Sequence, residues 1–162
     1  MKATKSEIDR IISESGFDIT SVSHEEREIW AQDLDRESYH ILLEHGTEAP
    51  FCGSLLDNKE TGTYACKLCG LPLFHSASKF TSGTGWASFT ETIDKDHIRY
   101  IEDKKLGMVR TETRCARCDG HQGHVFPDGP PPSGQRYCIN SAALDFFADG
   151  EDIPQKETRP KE

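Results

Sequence analysis

Apolar and polar positions divide this chain into two textures. Residues 1–22 are polar with little periodicity; a short helix around Ile8–Ser13 fits the spacing, but the composition favours a mobile arm. At Ser23 the signals sharpen. Ser23-His-Glu-Glu26 has the form of a capping box, in which a hydroxyl and a carboxylate satisfy the first free backbone donors of a helix. That helix is expected to run to about Ala31. A second, capped near Asp35, carries Tyr39, Leu42 and Leu43 on one side and stops at Gly46. Together they predict an α-hairpin with its charged residues facing water.

From Pro50 the texture changes to Gly, Thr, Ser and aromatics in short runs broken by turns. Thr63–Cys66, Leu73–His75, Ile98–Glu102, Met108–Arg114, His124–Phe126 and Tyr137–Ser141 read as strands. They are short and no helices intervene, which predicts antiparallel sheets. Residues 128–134 form a proline-rich loop, and beyond about Ala148 the charged, proline-containing chain predicts a disordered tail.

Length and charge narrow the classes. The 162 residues suit one domain, and 8 Phe, 4 Tyr and 2 Trp supply bulk for its core. The net charge of −9 argues against a nucleic-acid or anionic-membrane binder. No apolar run approaches the ~20 residues of a membrane span. The N-terminal residues lack the apolar stretch of a signal peptide, so a cytoplasmic location is expected, where paired cysteines usually mean metal or catalysis.

The six cysteines then divide four and two. Cys66-Lys-Leu-Cys69 and Cys115-Ala-Arg-Cys118 each put two thiolates on one turn, and two such turns complete a tetrahedral zinc site with Zn–S distances of ~2.3 Å. A thioredoxin-like redox pair would explain one such turn; two favour metal. Residues 70–114 separate the pairs, so two knuckles must be brought together by the sheet, and a closed four-cysteine zinc is structural.

Cys52 and Cys138 remain. Arg136 and Asn140 flank Cys138 at i±2, on its own strand face, and a face of Arg, Cys and Asn is not a core face. Arg136 is expected to lower the thiol pKa and favour a nucleophilic thiolate. His121 and His124 follow the second cysteine pair, and either can serve as a general acid; a second metal site on His-x-x-His is the rival reading. Trp86, on a glycine-rich loop, is placed to wall a small apolar pocket.

Gly83-Thr-Gly-Trp-Ala-Ser-Phe89, Cys118-Asp-Gly-His-Gln-Gly-His-Val-Phe-Pro-Asp-Gly-Pro130 and Arg136-Tyr-Cys-Ile-Asn-Ser141, with both cysteine pairs, resemble peptide-methionine (R)-S-oxide reductases, in order from about Ser38 to Phe147. The resemblance implies an enzyme that restores one epimer of oxidised methionine. It implies a mostly antiparallel β fold with a structural zinc; with the α-hairpin and the changes of texture along the chain, the expected architecture is mainly β, two antiparallel sheets with a structural zinc site and an N-terminal α-hairpin, with boundaries 1–22, 23–148 (helices 23–46, zinc β core 50–148) and 149–162. The resemblance also implies Cys138 as nucleophile and thioredoxin as reductant, with methionine sulfoxide in proteins or peptides as substrate. His121 or His124 would protonate the oxygen, Trp86, Arg136 and Phe126 would contact the substrate, and Asn140 would help orient the site. The chain departs from the common pattern at Thr84, where many relatives carry a resolving cysteine, and at Ala87, often proline. Cys52 resembles an alternative resolving residue; an external thiol is the other route. A zinc-stabilised binding module and a Cys/His hydrolase are the competing classes, and neither uses both remaining thiols.

Overall fold

Two helices and nine strands make up the regular structure of residues 10–157, the portion described by a computed structural model. Helix α1 (His24–Ala31) is capped by Ser23, whose hydroxyl accepts from the Glu26 amide. Helix α2 (Arg36–Glu44) is capped by Asp35, whose carboxylate accepts from the Ser38 amide at 2.7 Å. The Tyr39 hydroxyl donates to Glu28 and joins the two. The expected stop at Gly46 falls one residue late. The left-handed cap is His45, at φ 60°, and Gly46 follows because a β-carbon there would run into the His40 ring.

The strands are β1 (Gly62–Cys66), β2 (Pro72–His75), β3 (Lys79–Phe80), β4 (Ala87–Phe89), β5 (Ile98–Asp103), β6 (Arg110–Cys115), β7 (His121–Phe126), β8 (Arg136–Ile139) and β9 (Leu144–Ala148). They form two antiparallel sheets, ordered β2-β1-β9 and β3-β4-β8-β7-β6-β5. The fold is thus mainly β, as the short alternating runs predict. Strands β3, β4 and β9 were not among those expected.

Aromatic rings join the sheets. Phe74 of β2 stacks on Phe89 of β4 with centroids 4.4 Å apart, and Tyr64 of β1 meets the same ring edge-on at 5.1 Å. Such pairs add about 0.5–1.5 kcal/mol each beyond the area they bury. On β8 the alternation is clean: Tyr137 and Ile139 point into this core, which leaves Arg136 and Cys138 on the opposite face.

Two segments differ from expectation. Residues 10–22 are not a free arm: Ile12 bridges Asp18, Ser15 donates from its amide and hydroxyl to Asp94, and Ser13 meets the buried His97. Its polar residues are polar because they pair with these groups. Residues 8 and 9 of the expected short helix lie outside the described residues. The tail, through residue 157, docks on the first cysteine turn, with the Lys156 amide on the Cys69 carbonyl and Gln155 on that of Gly70.

Candidate active site

One transverse row of the six-stranded sheet brings candidate site residues together. Ser88 of β4 pairs with Cys138 of β8, Cys138 with His124 of β7, and His124 with Glu112 of β6. Directly opposed residues share a face, so the register alone brings thiol, imidazole and carboxylate together. His121, three residues from His124, would point to the other face of a regular strand. A bulge between Thr113 and Arg114 makes Gln122 the extra residue, and the two rings meet with centroids 5.6 Å apart. Gly123 is required in this bulge, because a β-carbon would collide with the Cys138 carbonyl.

Each histidine has a carboxylate. His121 Nδ1 lies 2.6 Å from Glu112 Oε2, which also meets His45 Nδ1 at 2.9 Å, while Arg114 donates to both Glu112 oxygens at 3.0 Å. Burial alone would raise the Glu112 pKa, but the bonds from His121, Arg114 and His45 hold it far below the usual range. His124 Nε2 lies 2.9 Å from Asp103, which the His124 bond and the Lys105 amide bring down to about 2. Burial lowers the pKa of His124 itself, against the pull of Asp103. The His121 ring is 2 % exposed and its Nε2 is buried without a partner, whereas His124 is half-buried. Glu112, Asp103 and His45 were invisible in the sequence, since Glu112 lies 9 residues from His121, Asp103 21 from His124 and His45 67 from Glu112.

The half-buried Cys138 thiol departs from expectation in its acidity. Burial raises its pKa, and Glu48 and Asp128 add to that; Arg136 and a hydrogen bond from Thr84 pull it down without prevailing. Arg136 is partly neutralised, since its Nε and Nη2 reach Asp128 at 2.9 and 3.2 Å. Burial therefore favours the protonated thiol at Cys138. Alkylation by iodoacetamide at neutral pH should modify exposed Cys52 before Cys138, as site-resolved mass spectrometry would show; faster labelling of Cys138 would contradict this.

Trp86 is half-buried and its indole donates to the Glu48 carbonyl at 3.1 Å. The Phe51 amide donates to the Gly85 carbonyl at 2.7 Å, which fastens the exposed Cys52 loop beside Trp86. Gly85, at φ 98°, permits that approach, because a β-carbon there would meet Pro50 and Phe51. Glu48 is the hub: buried, it accepts the Ser141 and Ala142 amides at 3.0 Å each. Asn140 is buried and its amide is spent, Oδ1 accepting from the Glu48 amide and Nδ2 donating to the Gln122 carbonyl. It therefore ties the Cys52 loop to the β7 bulge. Phe126, paired with Arg136 across β7 and β8, lies under the guanidinium at 4.4 Å.

The other four cysteines are buried together, with all Sγ atoms within 4.8 Å of one another. Cys66–Cys118 and Cys69–Cys115 stand at 3.5 and 3.4 Å, near the ~3.8 Å edge of a tetrahedron with 2.3 Å metal–sulfur bonds. No pair is a disulfide. Burial pushes the Cys69 and Cys118 thiols well up, so four thiolates require a cation among them, and the cluster is compatible with a structural metal site.

The SelR domain model matches residues 34–148. Peptide methionine sulfoxide reductase MsrB of Caulobacter vibrioides is 55 % identical over 143 residues, covering 88 % of this chain and 90 % of that protein. The protein of the same name from Xylella fastidiosa is 56 % identical over 140 residues, covering 86 % and 90 %. That of Escherichia coli is 53 % identical over 120 residues, covering 74 % and 87 %. The matched span takes in the whole Ser88–Cys138–His124–Glu112 row and both cysteine pairs, and the chain belongs to the SelR family of peptide methionine sulfoxide reductases.

Proposed function

We propose that this protein reduces methionine (R)-sulfoxide, in proteins or peptides, with Cys138 as nucleophile, Cys52 as resolving thiol, thioredoxin as reductant and one structural zinc on Cys66, Cys69, Cys115 and Cys118. The observation that carries this reading is the pairing of a half-buried Cys138 with His124 directly across β8 and β7.

The resting pair is thiol and neutral imidazole, because burial raises one pKa and lowers the other. On substrate binding, His124 takes the Cys138 proton and the thiolate attacks the sulfoxide sulfur. The proton then passes to the sulfoxide oxygen, which ends on Cys138 as sulfenic acid while methionine leaves. The substrate sulfur gains two electrons, the Cys138 sulfur loses two, and no outside proton is consumed. Asp103 orients His124, and Glu112 with His45 holds His121 behind it. Trp86, fixed by Glu48, offers the apolar wall for the methyl group, and Arg136 and Phe126 form the flank of the pocket.

Cys52 thiol then attacks the sulfenic sulfur, which releases water and forms the Cys52–Cys138 disulfide. A dithiol such as thioredoxin reduces it by exchange. Thr84 stands where a cysteine would touch Cys138 directly, and its hydroxyl cannot form that bond. The free thiols suit a reducing, cytoplasmic compartment. No helix among the described residues is long and apolar enough to cross a membrane.

Single-turnover mapping tests the sequence of steps. One equivalent of methionine (R)-sulfoxide should give a Cys52–Cys138 disulfide in the wild type, seen by peptide mass spectrometry. Cys52→Ser should stop at a trappable Cys138 sulfenic acid and lose thioredoxin-supported turnover by at least about 100-fold, the loss of a step rather than a contact. Adding Thr84→Cys to Cys52→Ser should restore recycling. Undiminished turnover in Cys52→Ser would move resolution to an external thiol.

A further inference from the structure

Gln122 stands between the cysteine cluster and the nucleophile. Its side chain is fully buried, and Nε2 donates to Cys66 Sγ at 3.4 Å. Its Oε1 is buried without a partner. Its backbone carbonyl accepts from the Asn140 amide at 2.9 Å and from Asn140 Nδ2 at 3.0 Å, two residues beyond Cys138. It is also the extra residue of the bulge that turns His121 and His124 onto one face. An apolar side chain would fill this space without stranding a carbonyl oxygen, and an unpaired buried acceptor is costly. What glutamine adds over leucine is one N–H aimed at a sulfur.

We propose that Gln122 is the outer-sphere donor to the metal-bound Cys66 thiolate and the strut through which metal loading sets the Cys138 strand. The proposal rests on the metal reading of the four cysteines. A thiolate on a divalent cation keeps much of its negative charge, and a buried N–H directed at it stabilises that charge and orients the ligand. The same residue, through its carbonyl, fixes Asn140, whose Oδ1 in turn holds the Glu48 amide beside Trp86. Loss of the Cys66 contact frees Gln122 to rotate, and the bulge and the Asn140 anchor lose their reference point.

Three measurements on the full chain test this. In protein loaded with cadmium-113, the Gln122 side-chain N–H should show scalar coupling to the metal across the N–H···S bond; its absence in a fully loaded sample overturns the donor assignment. In Gln122→Leu, which keeps the backbone carbonyl and the volume, metal transfer to a chromogenic chelator should accelerate by about 10–100-fold, the usual scale for removing an outer-shell partner. A merely structural glutamine would show the opposite pattern, unchanged metal release with a lowered melting temperature. In fully loaded, folded Gln122→Leu, methionine sulfoxide turnover should already fall by about 10-fold, because the strut is cut while the metal stays; wild-type turnover in that loaded variant overturns the strut. Turnover that survives metal loss in a folded protein overturns the strut. A wild-type protein that takes up no metal sinks the four-cysteine reading itself and is distinct from either result.

Discussion

Cys138→Ser is expected to abolish methionine sulfoxide reduction, with kcat/KM falling at least about 10⁴-fold, or roughly 5 kcal/mol of transition-state stabilisation. The hydroxyl fits: Cys138 faces Ser88 across the strands, and the Thr84, Ser82 and Ser88 hydroxyls already form a chain at 2.7–2.8 Å beside it. Oxygen nonetheless cannot take the place of sulfur as the atom that is oxidised, so the reaction loses its first covalent product. Substrate binding should survive, since Trp86, Arg136 and Phe126, the residues proposed to contact the substrate, are untouched. Tryptophan fluorescence titration against methionine sulfoxide measures that, and chromatographic assay of methionine measures turnover. Wild-type turnover in Cys138→Ser would end the assignment of the nucleophile.

What the sequence made legible was short-range. Caps at Ser23 and Asp35, the cysteine turns and the strand alternation of Arg136–Ile139 depend on residues within a few positions, and the structure shows each of them. The carboxylates that give the histidines their roles could not be found this way. Glu112 reaches His121 through the register of β6 on β7, and His45 reaches it from a helix cap 67 residues earlier. The pKa of Cys138 misled for a related reason. Arg136 two residues away suggests an activated thiol, but Asp128 draws off its charge and burial outweighs the remainder. Parity put Asn140 on the Cys138 face, yet β8 ends at Ile139, and the buried Asn140 amide is consumed by Glu48 and Gln122. Polarity was the poorest guide at residues 10–22 and 149–157, whose polar groups are polar because they bond to the protein.

Removing the metal is expected to unfold the domain rather than merely slow it. Cys66 ends β1 in the three-stranded sheet and Cys115 ends β6 in the six-stranded sheet, so one ion bound by the four cysteines would clamp both layers. The turns that present the sulfurs are themselves secured, with the Gly70 amide on the Cys66 carbonyl and the Asp119 amide on that of Cys115, at 2.8 and 2.9 Å. Structural zinc contributes about 10–16 kcal/mol of apparent binding free energy in small zinc domains. A domain of this size is stable by only about 5–15 kcal/mol, so loss of the ion uses up the whole margin. Without it, four buried sulfurs stay crowded at van der Waals contact with no cation among them, and the second turn no longer holds His121 against Glu112. Chelation, or Cys115→Ser, should therefore erase the cooperative thermal transition followed by circular dichroism and abolish turnover together. About one equivalent of zinc per chain should restore both to the chelated protein under reducing conditions. A metal-free protein that melts cooperatively and turns over at the wild-type rate would show that packing of Tyr64, Phe74 and Phe89 suffices to hold the sheets, and the clamp would be superfluous.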